Sequence, residues 1–451
     1  MDIYFIATIL FMIEILLATF SARYALSVVL LIMLLIPGVI KFNVGINLNV
    51  FNTAVAIFML SVFLLKKNRN NNIAALRKIL IIYAIYVSLT SFFTFGNVVP
   101  FSDYFRNILL FILAFIGLPY ALSYVKLDEQ SIKCFNWVVL VGGLAIIGYG
   151  IFNYITAFNP YMAYVALVAD MDVDMSNAFQ EEQRGILIGR VSSTFTHPLH
   201  LGQCALLLFS YSFYQLRRKI NVILLWVYLL GLILMCVLCG SRSAIFPMVL
   251  IPAIYVLHMK RTKVMKYIIL FFMAIMISYP MLPKQTRATI EGLVFVWNEK
   301  AANKADIRGS SIEGRLEQIE AAFRIIKDNP LFGKGEGYVN TYGFRHPEML
   351  GYESIILRYL VEGGIIGLMV FLWFYFQSYK LLLSYCKKRE EKAEVHSLCF
   401  SFFVSILLTG ISYSFYTLYM IFYFATLNSL ANKHQKSNLL YENRSYHPQL
   451  Q

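Results

Sequence analysis

Residues 222–239 read VILLWVYLLGLILMCVLC, an apolar run without a charged side chain. A hydrocarbon core of about 30 Å is crossed by about 20 mostly apolar helical residues, so this run predicts a transmembrane helix. Similar runs follow one another along a chain of 451 residues that is 59% hydrophobic. They lie at 3–20, 24–40, 50–65, 79–95, 108–125, 134–158, 198–215, 222–239, 244–258, 267–282, 353–377, 396–411 and 414–430.

Lipid offers no hydrogen-bond partner to an exposed backbone, so membrane-spanning segments of this kind are helices. The sequence therefore predicts an all-α polytopic membrane protein with about 12 to 13 transmembrane helices, in which 1–451 form a single transmembrane domain.

The net charge of +14 is spread over short loops, which argues against nucleic-acid binding because no basic face is formed. Cytoplasmic loops of membrane proteins carry an excess of Lys and Arg. Placing the basic loop 66–78 in the cytoplasm puts the other strongly basic short loops there too, with a tail at 431–451. An odd number of helices would place the N-terminus on the opposite side, and an even number would place it in the cytoplasm.

Two predicted loops on the non-cytoplasmic side are long, at 159–197 and at 283–352. Loops longer than about 15 residues are usually functional or disordered. Within the second loop, apolar residues at helical spacing predict an amphipathic helix on the membrane surface or over the helix bundle: Ile312, Leu316, Ile319, Phe323 and Ile326. The Asn329-Pro330 pair and the glycines after it are expected to end this helix.

The residue pattern predicts neither a metal nor a cofactor. All 6 cysteines lie in apolar runs or beside cytoplasmic charge, which argues against structural disulfides. Cys236 and Cys239 form C-x-x-C, but a second ligand pair is missing. The acidic stretch 170–181 imitates a calcium loop, yet Met175 stands where such a loop needs glycine, and a solvated acidic loop is the alternative.

Arginine recurs at the non-cytoplasmic side. A guanidinium presents a planar fork of donors that matches phosphate, so arginines that converge there suit a phosphate or diphosphate headgroup. We expect such a role for four residues: Arg190, Arg242, Arg308 and Arg315. Arg242 is the strongest candidate because it lies in a short turn, Gly240 to Ala244, where the charge rule predicts no cation. Arg184 and Arg345 are equally compatible with interfacial anchoring.

Glu353, Arg358 and Glu362 fall in or beside the apolar run that follows the long loop. Ionisable groups at membrane depth usually face the bundle interior and mark functional sites, although Arg358 with Glu362 also fits a structural ion pair at i, i+4 spacing. His197 and His346 lie near the same side and are candidate bases. Neither histidine has a third metal ligand at a suitable spacing, so zinc is not expected.

Three segments of the chain resemble the superfamily of O-antigen ligases and Wzy-type O-antigen polymerases. The segment 190–198, RVSSTFTHP, is similar to the arginine-led segment that enters a helix after the first large periplasmic loop of that superfamily. The turn 240–244, GSRSA, is similar to its G-S-R-G-A turn. Arg315 with its amphipathic helix, followed by NPLFGKG at 329–335, is similar to the start and exit of its large loop.

One position departs from the ligase pattern. Ligases typically carry a His-Asn pair nine residues before a G-x-x-G motif, and the corresponding positions hold Glu353 and Ser354 before Gly364. A carboxylate at this place resembles the polymerase branch more than the ligase branch. It leaves His346 as the nearest imidazole.

The resemblance implies a GT-C-like, metal-independent glycosyltransferase of the bacterial inner membrane, with its active site facing the periplasm. Its expected substrates are undecaprenyl-diphosphate-linked oligosaccharides, and membrane lipid and a chain-length regulator protein are further candidate partners. We assign Glu353, Arg242 and Arg315 as catalytic, Arg190, Arg242, Arg315 and Arg308 to diphosphate binding, and His346, His197 and Arg358 as further candidates. The alternatives are an O-antigen ligase or protein glycosyltransferase, and a polysaccharide transporter or flippase.

Overall fold

The computed structural model describes residues 2–43, 47–65, 73–94, 101–169, 190–217, 219–259, 312–339, 354–408 and 413–445. In these ranges the chain is almost entirely helical, apart from a short antiparallel hairpin of β1 (Lys41–Asn43) and β2 (Asn47–Asn49). The predicted all-α class is confirmed.

The first half of the described chain contains eight helices. They are α1 (Ile3–Phe20), α2 (Ala22–Leu35), α3 (Val50–Leu65), α4 (Ala74–Thr94), α5 (Phe101–Phe111), α6 (Leu118–Leu122), α7 (Glu129–Thr156) and α8 (Pro160–Val168). A π-helical segment, Ile112–Gly117, joins α5 to α6 without a break.

The second half contains seven described helices. They are α9 (Pro198–Gln215), α10 (Val222–Leu238), α11 (Arg242–Met259), α12 (Ile312–Ile326), α13 (Ile355–Ser384), α14 (Arg389–Leu408) and α15 (Tyr413–Ser445). Helices α1, α3 and α9 begin and end where the apolar runs predict them. Helix α15 continues well past the predicted run, into the segment expected to be a tail. The run 267–282 lies outside the described residues.

Four segments in the described ranges are long and apolar enough to cross a membrane: Ile3–Phe20, Phe105–Leu122, Glu129–Thr156 and Ile355–Ser384. Large apolar side chains such as Leu16, Trp226 and Met369 are exposed, whereas polar side chains such as Glu14 and Gln203 are buried. Apolar exterior and polar interior are the arrangement expected when lipid is the solvent. The structure thus agrees with the predicted membrane protein.

Contacts between helix ends sort the described loops into two groups. At one end, Ser354 Oγ donates to the Ile406 carbonyl and Ser405 Oγ donates to the Ser243 carbonyl. At the other end, the Leu127 amide donates to Asn428 Oδ1. We call the first the arginine end, because residues 190 and 242 lie there, and the second the opposite end. Arg23 and Asp128, which lie in two of the loops predicted to share a side of the membrane, also form an ion pair at the opposite end.

Helix α15 lies at the centre of the bundle. Each residue from 415 to 430 is buried, although the segment is apolar and aromatic enough to face lipid. The Phe115 ring, in the π-helical segment, stacks on Tyr416 at 4.0 Å and on Phe111 at 5.0 Å. The Tyr416 hydroxyl also donates to the Phe115 carbonyl at 3.1 Å. Close aromatic packing and interhelical hydrogen bonds hold helices together in lipid, where burial of apolar surface adds little.

The amphipathic helix predicted at 312–326 is present as α12, but its apolar stripe is divided between two environments. Ala322 and Ile326 are buried against Leu360 and Val361 of α13. Leu316, Ile319 and Phe323 are exposed. The helix therefore docks on the bundle through one edge and leaves most of its predicted apolar face uncovered.

Candidate functional site

Arg190 is fixed against the end of α10. Its side chain is buried, with a residue exposure of 4%, and its Nε donates to the Cys239 carbonyl at 3.0 Å. The next amide, of Val191, donates to the Leu238 carbonyl at 3.2 Å. These two bonds place the arginine-led segment directly beside the Gly240 to Ala244 turn. The structure thus joins two of the motifs that the sequence identified separately.

The residues after Arg190 are held by hydrogen bonds to several helices. Ser193 adopts a left-handed backbone conformation with φ of 51°, and its Oγ donates to the Ile146 carbonyl at 2.8 Å. Thr194 Oγ1 donates to the Leu34 carbonyl at 2.7 Å, and Asn159 Nδ2 donates to the Ser193 carbonyl at 2.9 Å. These three bonds tie the loop to α7, to the end of α2 and to the N-cap of α8, and so make it a rigid platform for Arg190.

The Gly240 to Ala244 turn packs closely on α9. Gly240 has a φ of +62°, which favours glycine, and α11 begins two residues later at Arg242. A Cβ on Gly202 of α9 would lie 2.7 Å from the Ser241 Cβ. Glycine at 202 therefore lets the turn approach α9. The beginning of a helix also carries a partial positive charge, which favours an anion near position 242.

Helix α14 connects this turn to the start of α13. The consecutive residues Ser405 and Ile406 bond, respectively, to Ser243 at 3.3 Å and to Ser354 at 3.4 Å. Ser243 follows Arg242, and Ser354 follows Glu353. Two of the three predicted catalytic positions thus adjoin residues that are held by the same turn of α14.

The exit of the long loop docks into a break in α13. Gly364 has a φ of +65° inside this helix, which frees backbone groups on both sides of it. The amides of Lys334 and Gly335 donate to the carbonyls of Val361 and Glu362, both at 2.9 Å. In return, the Ile365 amide donates to the Pro330 carbonyl at 2.9 Å. The NPLFGKG motif therefore supplies the partners that a broken helix needs at membrane depth.

Three charged residues stabilise this junction between the loop exit and α13. Arg358 Nε lies 2.9 Å from Glu362 Oε2, and its terminal nitrogen lies 3.6 Å from Glu336 Oε1. Glu362 Oε1 accepts hydrogen bonds from the Gly337 amide at 3.1 Å and the Val339 amide at 3.2 Å. Glu336 and Glu362 are 6% and 2% exposed. The predicted Arg358–Glu362 pair is confirmed, and its contacts fit a structural role in positioning the loop exit.

His197 begins α9. Its Nδ1 accepts a hydrogen bond from the Leu199 amide at 3.0 Å, so this nitrogen caps the helix. The contact gives His197 a structural role at the start of the helix, and its role as a base stays a prediction.

The remaining predicted residues are described partly or not at all. The backbones of Arg242 and Arg315 lie in the first turns of α11 and α12. Glu353, Arg308 and His346 lie outside the described residues.

Two residues of this region were missed from the sequence. Glu336, which completes the ion cluster, follows the NPLFGKG motif directly, and a carboxylate at this place in the loop exit is the signal that could have identified it. Ser91 of α4, whose Oγ accepts from the Glu336 amide at 3.0 Å, carries no local signal.

We predict that Gly333→Ala will disrupt the junction. Gly333 has a φ of +72°, and an added Cβ would lie 2.5 Å from the Gly364 nitrogen and 2.6 Å from the Val361 carbonyl oxygen. Backbone atoms cannot easily move away from the added Cβ. The amount of folded protein and its melting temperature in detergent should therefore fall, and product formation should fall with them. The matched control is Gly148→Ala in α7, where no atom lies within 4 Å of the added Cβ. Equal melting temperatures of the Gly333→Ala and Gly148→Ala variants would contradict the inferred docking.

Comparison with known protein families gives one match. Residues 227–372 match the family model described as O-antigen ligase, a segment of about a third of the chain. It runs from α10 through the Gly240 to Ala244 turn, the long loop and the docked exit into α13, and so includes two of the three motif regions. No curated protein matches the chain. This part of the chain is therefore similar to O-antigen ligases, which supports the resemblance seen in the sequence motifs.

Proposed function

We propose that the protein polymerises undecaprenyl-diphosphate-linked oligosaccharide repeat units into O-antigen or a related surface polysaccharide, at the periplasmic face of the bacterial inner membrane. The family match supports the coarser function, a glycosyltransferase-like enzyme that acts on lipid-linked glycans. The observation that carries the finer proposal is the convergence of the Arg190 segment, the Gly240 to Ala244 turn and the start of α13 at one end of the bundle.

In the proposed reaction, the non-reducing-end hydroxyl of a new repeat unit attacks the anomeric carbon of the growing chain. A glycosidic bond forms, the bond from the anomeric carbon to the diphosphate oxygen breaks, and undecaprenyl diphosphate leaves with the electron pair. The hydroxyl proton passes to a base. Negative charge grows on the diphosphate in the transition state. Cationic donors that are already oriented toward this charge stabilise it most effectively.

The arginines supply these donors in the proposal. Arg190 is placed by its hydrogen bond to Cys239, and Arg242 begins the helix after the adjacent turn. Arg315 and Arg308 complete the set from the long loop. The lipid tail would lie against apolar helix surfaces, which the exposed side chains of α10 provide.

Glu353 is the proposed base or orienter of the acceptor hydroxyl. It directly precedes Ser354, the N-cap residue of α13, whose Oγ is bonded to α14. The second candidate function is ligation of glycan to another acceptor, which is favoured by the description of the matching family as O-antigen ligase. The carboxylate at 353, where ligases carry histidine, favours polymerisation.

Deletion of the gene should separate the two functions. A strain that lacks a polymerase should carry its surface lipid anchor capped with a single repeat unit, because ligation still proceeds. Loss of all surface glycan, with polymer accumulating on undecaprenyl diphosphate, would instead indicate a ligase. Gel analysis of surface glycan and mass spectrometry of the lipid-linked pool measure both outcomes.

Arg242→Lys and Arg315→Lys should each reduce polymer formation, by up to about 10²-fold, because Lys keeps the charge but loses the bidentate fork. Both proteins should remain folded in the membrane. Polymer per membrane-inserted protein is the measurement, and Arg184→Lys is the control, since we expect Arg184 to be an interfacial anchor. Normal polymer length and yield in both variants would remove these arginines from the site.

Glu353→Gln keeps the side-chain volume and removes the proton acceptor. Turnover should fall by about 10²- to 10⁴-fold, as is typical when a general base is lost, while binding of the lipid-linked substrate persists. If Glu353 only forms an ion pair, the variant should instead lose abundance and keep its activity per folded molecule. Near-normal specific activity would exclude Glu353 as the base.

A further inference from the structure

Gln203 of α9 is an unusual buried group. The residue is 1% exposed, and neither Oε1 nor Nε2 has a hydrogen-bond partner among the described residues. Burying an amide without partners is unfavourable. The cost of burying such an amide falls when a ligand or an ordered water forms hydrogen bonds with it.

Gln203 lines a cavity that can hold such a ligand. The cavity has a volume of about 190 Å³ and is partly enclosed by the end of α2, the β-hairpin, the beginning of α9 and α15. Cavities for drug-sized ligands measure about 300–1,000 Å³, so this one fits a single ring rather than an extended chain. It is also larger than one water molecule requires, about 30 Å³.

The lining combines aromatic side chains with neutral polar groups. Phe51, Phe195 and Phe415 supply apolar ring surface. The hydrogen-bonding groups come from Asn49, Thr196, His200 and Gln203. None of the described lining residues is Lys, Arg, Asp or Glu, which argues against a phosphate or another ion as the occupant. An amide offers donors and an acceptor together, and therefore matches hydroxyl groups, which also donate and accept. This chemistry fits a neutral sugar ring.

The cavity adjoins the candidate site through α9. Gly202 packs on Ser241 in the arginine-end turn, while its neighbour Gln203 lines the cavity, about 100° further around the helix. Phe195 and Thr196 also continue the segment that begins with Arg190. A glycan held near the arginines can therefore place another of its sugars in the cavity.

We propose that this cavity is a saccharide subsite, in which Gln203 hydrogen-bonds the hydroxyls of one neutral sugar unit of the glycan substrate. The assignment rests on the proposed function for the identity of the glycan. It requires only that the protein binds glycan, so it is testable without the transfer reaction.

The probe is a glycan that mild acid releases from the undecaprenyl-diphosphate-linked pool of the deletion strain. The released glycan carries neither lipid nor diphosphate. Its binding to the full-length protein in nanodiscs is measured by saturation-transfer NMR titration. Gln203→Met keeps the chain length and removes the amide, and should weaken binding by about tenfold or more. Ser210→Ala is the matched control, because Ser210 is also buried on α9 without a described partner but does not line the cavity.

Binding that is lost in Gln203→Met and kept in Ser210→Ala supports the subsite. Equal binding in Gln203→Met and the wild type overturns it, and shows that the amide is satisfied by water. Failure of the wild type to bind the glycan overturns it as well. If Gln203→Met does not fold, Thr196→Val replaces it, with weaker binding supporting the subsite and unchanged binding overturning it. A ligase phenotype in the deletion strain would refute polymerisation and leave these binding results unaffected.

Discussion

The backbone contact between the loop exit and the break in α13 is the constraint on which the candidate site depends. A helix interrupted inside a membrane leaves amides and carbonyls that lipid cannot satisfy. Residues 330–335 satisfy them with their own backbone, and Gly333 and Gly364 permit the approach because neither carries a Cβ. This contact fixes where the long loop ends relative to α13.

The ion cluster at the same junction explains how three buried or partly buried charged side chains are tolerated there. Arg358 compensates Glu362 and Glu336, and two loop amides use the remaining carboxylate oxygen of Glu362. Breaking such a buried pair is expensive, whereas forming it adds little net stability, so its main effect is on specificity of docking. Arg190 differs, since its Nε donates to a neutral backbone carbonyl, that of Cys239.

Apolar runs were sufficient to predict most of the described helices, including the limits of α1, α3 and α9, because length and apolarity are set by the bilayer. They did not predict α8, which lies in the segment 159–197 expected to be a loop. Local spacing also predicted the Arg358–Glu362 pair. Contacts between distant segments could not be predicted in this way. Neither Ser91 beside Glu336 nor the cavity beside Gln203 has a sequence signal, because both arise from the packing of helices far apart in the chain. The exposed face of α12 likewise depends on which neighbour it meets.

Helix α15 follows, in chain order, all the described helices that it contacts. Synthesis proceeds at about 5–20 residues per second, so roughly 20 to 80 seconds separate the completion of α2 from that of residue 430. During that interval α2, α7 and α9 already lie in the membrane without the aromatic helix that later fills the space between them. Their inward faces must meanwhile be covered by lipid or by the insertion machinery. The bundle can therefore close only when α15, its central helix, is inserted after the helices around it.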